Sequence, residues 1–188
     1  MKTVPTSRYI VFSLLAVFGC LADLTTKTWV FAWLGPPQQR NPWWLIKDIC
    51  GFQTSLNEGA LFGMGQGKVW LFASLSVVAS VAIVYWLFIV KAARDRSLTV
   101  ALGLVAGGIF GNLYDRLGLW TMPGQPNQRF HAVRDFILFQ YRDWVWPNFN
   151  VADSLLVCGA ALLVWHAFRA ERASSEIGEH PCTTSTSR

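Results

Sequence analysis

The chain has 188 residues, of which 53% are hydrophobic and only 14% charged, and its mean hydropathy of +0.33 is high for a soluble domain of this length. That composition agrees with a membrane protein. The net charge of +5 does not indicate nucleic acid, because the basic residues scatter around apolar stretches and build no stripe or recognised nucleic-acid motif.

Four apolar stretches stand out: about Tyr9 to Trp33, Val69 to Val90, Leu98 to Tyr114 and Val151 to Phe168. Each is close to the ~20 residues a helix needs to cross roughly 30 Å of hydrocarbon. The first could instead be a cleaved signal peptide ending near Val17-Phe18-Gly19-Cys20, but Phe18 suits such a box poorly and the apolar pattern runs on past Asp23 through Trp29, Val30 and Phe31. Gly35-Pro36-Pro37 then breaks the helix, and Trp43-Trp44-Leu45-Ile46 reads as an aromatic anchor in the membrane interface. Phe52 to Leu56 is predicted as a short strand, and Asn57 to Gly65 as a loop. The second stretch, Val69 to Val90, carries no charge. After the third, Pro123 to Gln128 reads as a polar turn, and Val133 to Tyr141 as a loop extended along the membrane surface. The tail beyond the fourth, residues 173–188, is rich in Ser, Thr and charge and is expected to be disordered. Cys20 and Cys158 fall in spans, Cys50 in a loop and Cys182 in the tail, so neither a disulfide framework nor a metal-type CxxC pair is present.

Charge density orients the spans. Lys2 and Arg8 precede the first, Lys91, Arg94 and Arg96 crowd the short second connection, and Arg169 and Arg172 follow the fourth. The positive-inside rule makes these sides cytoplasmic, whereas the other two loops spread their basic residues over far longer stretches. The predicted architecture is therefore an all-α integral membrane protein. It has four transmembrane helices, cytoplasmic termini and a small extracytoplasmic β and loop region, in one domain over residues 1–172.

In this frame the acids converge. At 1.5 Å per residue, Asp23 lies ~21 Å beyond Tyr9 and Asp115 ~26 Å beyond Leu98, while Asp153 stands near the start of the inward-running fourth span. All three share one level near the outer face, with Asp135 in the preceding loop. Intramembrane acids are costly and mark functional candidates. Asn112, Asp115 and Arg116 at i, i+3 and i+4 suggest an amide beside an acid paired with Arg116, and Asn150 and Asp153 repeat the i, i+3 spacing. Asp23 and Lys27, at i, i+4, suit an ion pair or a snorkelling anchor at the interface. Gly103, Gly107 and Gly111 recur every fourth residue, a small face that lets helices approach in lipid.

Two carboxylates sharing a site cannot both ionise cheaply, so one keeps its proton, and together they can activate water and protonate an amide nitrogen. Acids in membranes equally serve proton- or cation-coupled transporters. Spacing leaves the two readings, aspartic peptidase and small four-span transporter, both open.

Five blocks carry more information. Asp23-Leu24-Thr25-Thr26-Lys27, Asn57-Glu58-Gly59-Ala60-Leu61-Phe62, Gly107 to Arg116, Val133-Arg134-Asp135-Phe136 and Phe149-Asn150-Val151-Ala152-Asp153-Ser154 resemble, in order, the signature blocks of lipoprotein signal peptidases (signal peptidase II). The resemblance covers most of the chain from Asp23 to Phe168. It implies an aspartic endopeptidase of the bacterial cytoplasmic (inner) membrane, with its site at the outer or periplasmic face, which removes the signal peptide of prolipoproteins before a diacylglyceryl-modified cysteine. It further implies a catalytic pair of Asp135 and Asp153, with Asn57, Gly59, Asn112, Arg116 and Asn150 binding substrate or ordering the site. Asp23, Lys27 and Asp115 would support the fold. No metal or organic cofactor is expected; the implied partners are lipidated prolipoproteins, membrane lipids and the inhibitor globomycin. The stretch from Asp115 to Asp135 is longer than the family pattern and Arg134 replaces a usual apolar residue, which keeps Asp115 open as an alternative partner for Asp153.

Overall fold

The computed structural model describes residues 3–59 and 65–178; residues 60–64, within the block that begins at Asn57, and 179–188, which include Cys182, lie outside the described residues. Among the described residues, four helices are long and apolar enough to cross a membrane. These are α1 (Thr6–Leu34), α2 (Val69–Val84, continued by a π-helical turn over Tyr85–Ile89), α3 (Arg96–Arg116) and α4 (Val151–Gly178). They contain all four predicted apolar stretches. Helix α4 continues to Gly178, past residue 173 where the expected disordered tail begins.

Helix α3 is the central one: over half of its most apolar window is buried, 56%, against 22% or less in the others. Its small residues explain this. A Cβ at Gly107 would sit 3.1 Å from the Leu15 carbonyl oxygen and 3.3 Å from the Cα of Gly19, and one at Gly111 would collide with the Asp23 carboxylate. The predicted glycine face is thus the α1–α3 seam, and it brings Asp23 directly beside α3. At the other end of α3, Asp95 caps the helix by accepting from Ser97 N at 2.7 Å and Leu98 N at 3.1 Å. Leu14, Val17 and Phe18 on α1, Val78 and Val81 on α2, and Val157 and Phe168 on α4 remain exposed, as helices that face lipid require.

The two long connections fold into sheets where α1 and α3 end and α2 and α4 begin. Strands β1 (Trp43–Ile46), β2 (Cys50–Asn57), β5 (Val133–Tyr141) and β6 (Trp144–Phe149) form an antiparallel sheet in the order β1-β2-β5-β6. Strands β3 (Thr121–Met122) and β4 (Gln125–Arg129) form a separate hairpin over the predicted polar turn. The short strand expected at Phe52 to Leu56 is the middle of β2. By contrast, Val133 to Tyr141 is no surface loop: it is a central strand whose first four residues are all buried. Val30, Phe31 and Leu34 of α1 cluster with Trp120, Met122 and Phe136, so an apolar core anchors the sheet to the bundle.

Candidate active site

Strand geometry places Asp135. Successive side chains on β5 point to opposite faces, so Arg134 and Asp135 reach different surroundings although they are neighbours in sequence. Asp135 is 2% exposed. Asn150 Nδ2 donates to its Oδ1 at 2.6 Å and Asn57 Nδ2 to its Oδ2 at 3.2 Å. Asn57 is in range because β2 pairs with β5 in the register Ser55 to Asp135 and Asn57 to Val133, which makes Asn57 the diagonal neighbour of Asp135.

Asp153 sits in the first turn of α4 and is held through the residue that precedes the helix. Asn150 Oδ1 accepts from Asp153 N at 2.9 Å, and Asp153 Oδ2 accepts from Asn150 N at 3.2 Å. This reciprocal cap is the physical content of the i, i+3 spacing seen in the sequence. Asn112 Nδ2 donates to Asp153 Oδ1 at 2.8 Å, and Asn150 Nδ2 to Asn112 Oδ1 at 3.2 Å. A single asparagine, Asn150, therefore bonds to both Asp135 and Asp153.

Burial in a site of low polarity, reinforced by the negative charge of Asp153, pushes the Asp135 carboxyl up from 3.8 to about 7, against the opposing pull of the Asn150 bond, the Lys27 charge and the Asn57 bond. Near neutrality one carboxyl of the pair can thus hold a proton. A cavity of about 490 Å³ opens beside Asp153, Asn57, Asn112 and Arg116, with Ile109, Leu156 and Val157 along its apolar wall.

Asp23, Lys27 and Asp115 form a fully buried group behind the cavity. Lys27 Nζ lies 2.6 Å from Asp23 Oδ2 and 3.2 Å from Asp115 Oδ2, and all three side chains are 0% exposed. Lys27 is therefore an interior ion and not a snorkelling anchor: α3 packs over it before its stem can reach the interface. Asp23 Oδ1 also accepts from Ala152 N at 2.8 Å, tying α1 to the start of α4.

The pairing expected between Asp115 and Arg116 does not form. Adjacent residues on a helix point about 100° apart, and Asp115 turns inward to Lys27 and Arg134 instead. The Arg134 guanidinium donates to Asp115 Oδ1 from Nε at 3.1 Å and Nη2 at 2.8 Å, and its backbone N donates to Oδ2 at 3.0 Å. It also stacks over Trp120, 4.7 Å from the ring centre. Arg116 points the other way, donating to the Gly59 carbonyl at 3.1 Å and lying over Phe72. Gly59 N in turn donates to Asn57 Oδ1 at 2.9 Å.

Asn57, Asn112, Arg116 and Asp153 thus line one cavity, Gly59 and Asn150 are hydrogen-bonded to members of that lining and Asp135 to Asn57 and Asn150, while Asp23, Lys27 and Asp115 lie behind. Sequence reasoning missed Arg134 and Trp120 as members of the buried group. The one available signal was a charged residue inside the apolar run Ala132-Val133 and Phe136-Ile137.

Comparisons with known proteins bear on the family and the fold. Residues 15–169 match the family described as signal peptidase (SPase) II. The lipoprotein signal peptidase of Rhodopirellula baltica is 50% identical over 165 residues, covering 87% of this chain and 74% of that protein. The lipoprotein signal peptidase of Polynucleobacter necessarius is 33% identical, over 90% of this chain and 94% of its own length. A bacterial membrane enzyme structure determined by the in meso method at 2.3 Å resolution has a TM-score of 0.70 at 27% identity, covering 84% of this chain and 87% of that one. Four apolar helices, a polar centre built from the five sequence blocks and these likenesses place the chain in the signal peptidase II family.

Proposed function

We propose that this protein removes the signal peptide from diacylglyceryl-modified bacterial prolipoproteins, cleaving before the lipidated cysteine with Asp135 and Asp153 as an aspartic catalytic pair. The observation that carries this reading is Asn150, whose side-chain Nδ2 donates to Asp135 at 2.6 Å while its backbone N–H donates to Asp153 Oδ2 and its side-chain Oδ1 accepts from Asp153 N. Asp135 carries the proton and Asp153 the charge. Water attacks the scissile carbonyl carbon and gives a proton to Asp153, while Asp135 protonates the carbonyl oxygen. The tetrahedral diol then collapses: Asp153 passes its proton to the leaving amide nitrogen and a diol hydroxyl returns one to Asp135. Arg116 and Asn57 border the space the substrate backbone would take, and Ile109, Leu156 and Val157 offer an apolar wall to its lipid or signal helix.

Purified protein is expected to cleave a lipidated prolipoprotein peptide in the presence of a chelator, and to be inhibited by globomycin. Loss of activity on chelation would remove the aspartic mechanism. Ion movement in proteoliposomes with no cleavage would favour the transporter.

In our reading the sheet and catalytic pair face the outside of the cytoplasmic (inner) membrane, because the dense basic clusters lie at the opposite end. Reporters fused after Arg96 and Arg172 should read as cytoplasmic, and those near Pro37 and Gln125 as external. An external signal at Arg172 would overturn this orientation.

A further inference from the structure

Lys27 has a second connection that its ion pairs do not explain: Nζ also donates to Asn112 Oδ1 at 2.9 Å. An ammonium has three protons and no lone pair. Asp23 Oδ2 at 2.6 Å and Asp115 Oδ2 at 3.2 Å are its ion-pair partners, and Asn112 Oδ1 at 2.9 Å accepts a hydrogen bond from it.

The consequence is directional. An asparagine amide is nearly symmetric in shape, and which end is oxygen is settled only by its partners. Facing Lys27, Asn112 must present oxygen, since an amide N–H there would oppose an ammonium. Its NH₂ is then turned the other way, onto Asp153 Oδ1 at 2.8 Å. The same oxygen accepts from Asn150 Nδ2 at 3.2 Å, and that nitrogen's other proton reaches Asp135 Oδ1 at 2.6 Å. Asn150 cannot reverse either, because its oxygen is held by the Asp153 backbone N–H at 2.9 Å. A flipped Asn112 would aim a carbonyl oxygen at the Asp153 carboxylate and abolish the donor that holds it.

We infer that Lys27 is a positioning residue for the reaction: its hydrogen bond fixes the orientation of the Asn112 amide, and through Asn112 and Asn150 it aims both Asp153 and Asp135. This inference rests on Asp135 and Asp153 being the catalytic pair.

The test is Asp23→Asn/Lys27→Met, which removes one charge of each sign from the buried group. The introduced asparagine keeps an oxygen for the Ala152 N–H, and no ammonium remains to oppose its NH₂. The expected result is folded protein whose kcat on a lipidated prolipoprotein peptide falls by roughly 10²-fold, the scale of a misplaced catalytic group, with KM little changed. Unchanged kcat per folded molecule would reduce Lys27 to a fold element and overturn the inference.

Asn112→Asp supplies a variant that does not depend on the double change folding. It keeps acceptors for Lys27 and Asn150 but has no N–H for Asp153, so kcat should again fall, and full activity would overturn the inference. Asp135→Asn and Asp153→Asn run in the same assay separate the two ideas. Inactive aspartate variants beside a fully active Asp23→Asn/Lys27→Met would reject the role of Lys27 alone, whereas active aspartate variants would reject the catalytic pair itself.

Discussion

Asp135→Asn and Asp153→Asn are each expected to lower turnover of a lipidated prolipoprotein peptide by roughly 10²–10⁴-fold while leaving folded protein that still binds globomycin. Asparagine keeps the size of the side chain and much of its hydrogen bonding but cannot exchange a proton. The double variant should be little worse than either single one, because two groups that act as a unit are lost together. The pH dependence follows from Asp135, whose carboxyl is raised by burial and by Asp153 from 3.8 to about 7. Activity should persist up to about pH 7 and decline above it, as Asp135 loses the proton it donates. Stability should change in the same window. Between 3.8 and about 7 the folded state holds a proton that the unfolded chain has released, so wild-type stability falls as pH rises across this range and levels off above it. Asp135→Asn lacks this titrating group and should show a shallower slope there. Thermal melts in detergent against pH would show this, and an equal slope in both proteins would mean that Asp135 is not the raised carboxyl.

Asp115→Asn is expected to act on folding and not on chemistry. Both carboxylate oxygens face donors only: Oδ1 accepts from the Arg134 guanidinium, and Oδ2 accepts from the Arg134 backbone N with the Lys27 ammonium 3.2 Å away. An asparagine must therefore point its NH₂ at another donor, whichever way it turns. The variant also leaves two buried cations with one acid fewer, and breaking a buried pair in this way costs on the order of 3–5 kcal/mol. The yield of folded protein should fall, while activity per folded molecule is retained. Full activity in Asp135→Asn with none in well-folded Asp115→Asn would transfer the catalytic role to Asp115. The buried partners of Asp115 weigh against that outcome, since the group is already enclosed by Lys27 and Arg134 behind the cavity.

Much of the site was legible because it depends on local spacing. Asn150 and Asp153 are three residues apart across a helix start, and their reciprocal hydrogen bonds are what that spacing dictates. Asp23 and Lys27, four apart, pair as expected. The same logic misread Asp115, because Arg116 was the nearest cation in sequence while Arg134, across the α3 and β5 contact, was the nearest in space. Asp135 was harder still. It is flanked by Ser55 of β2 and by Asn150 at the start of α4, and a nine-residue stretch that mixes apolar and polar residues does not declare whether it will lie on a membrane or enter a sheet.

The sequence by itself determined the four spans, since continuous apolar length is the sole requirement for crossing hydrocarbon, and it determined the shared level of Asp23, Asp115 and Asp153, since helical rise converts residue number into depth. It also marked the glycine face of α3 as a place of close helix approach, while the structure showed that α1 meets it. Only the tertiary structure decided which charge meets which, because inter-helix and helix–strand partners depend on rotation about each axis and on strand register, neither of which a linear spacing records. In this protein those two variables separate Arg134 from Asp135, sending one side chain into the buried ion group and the other to Asn150 at the site.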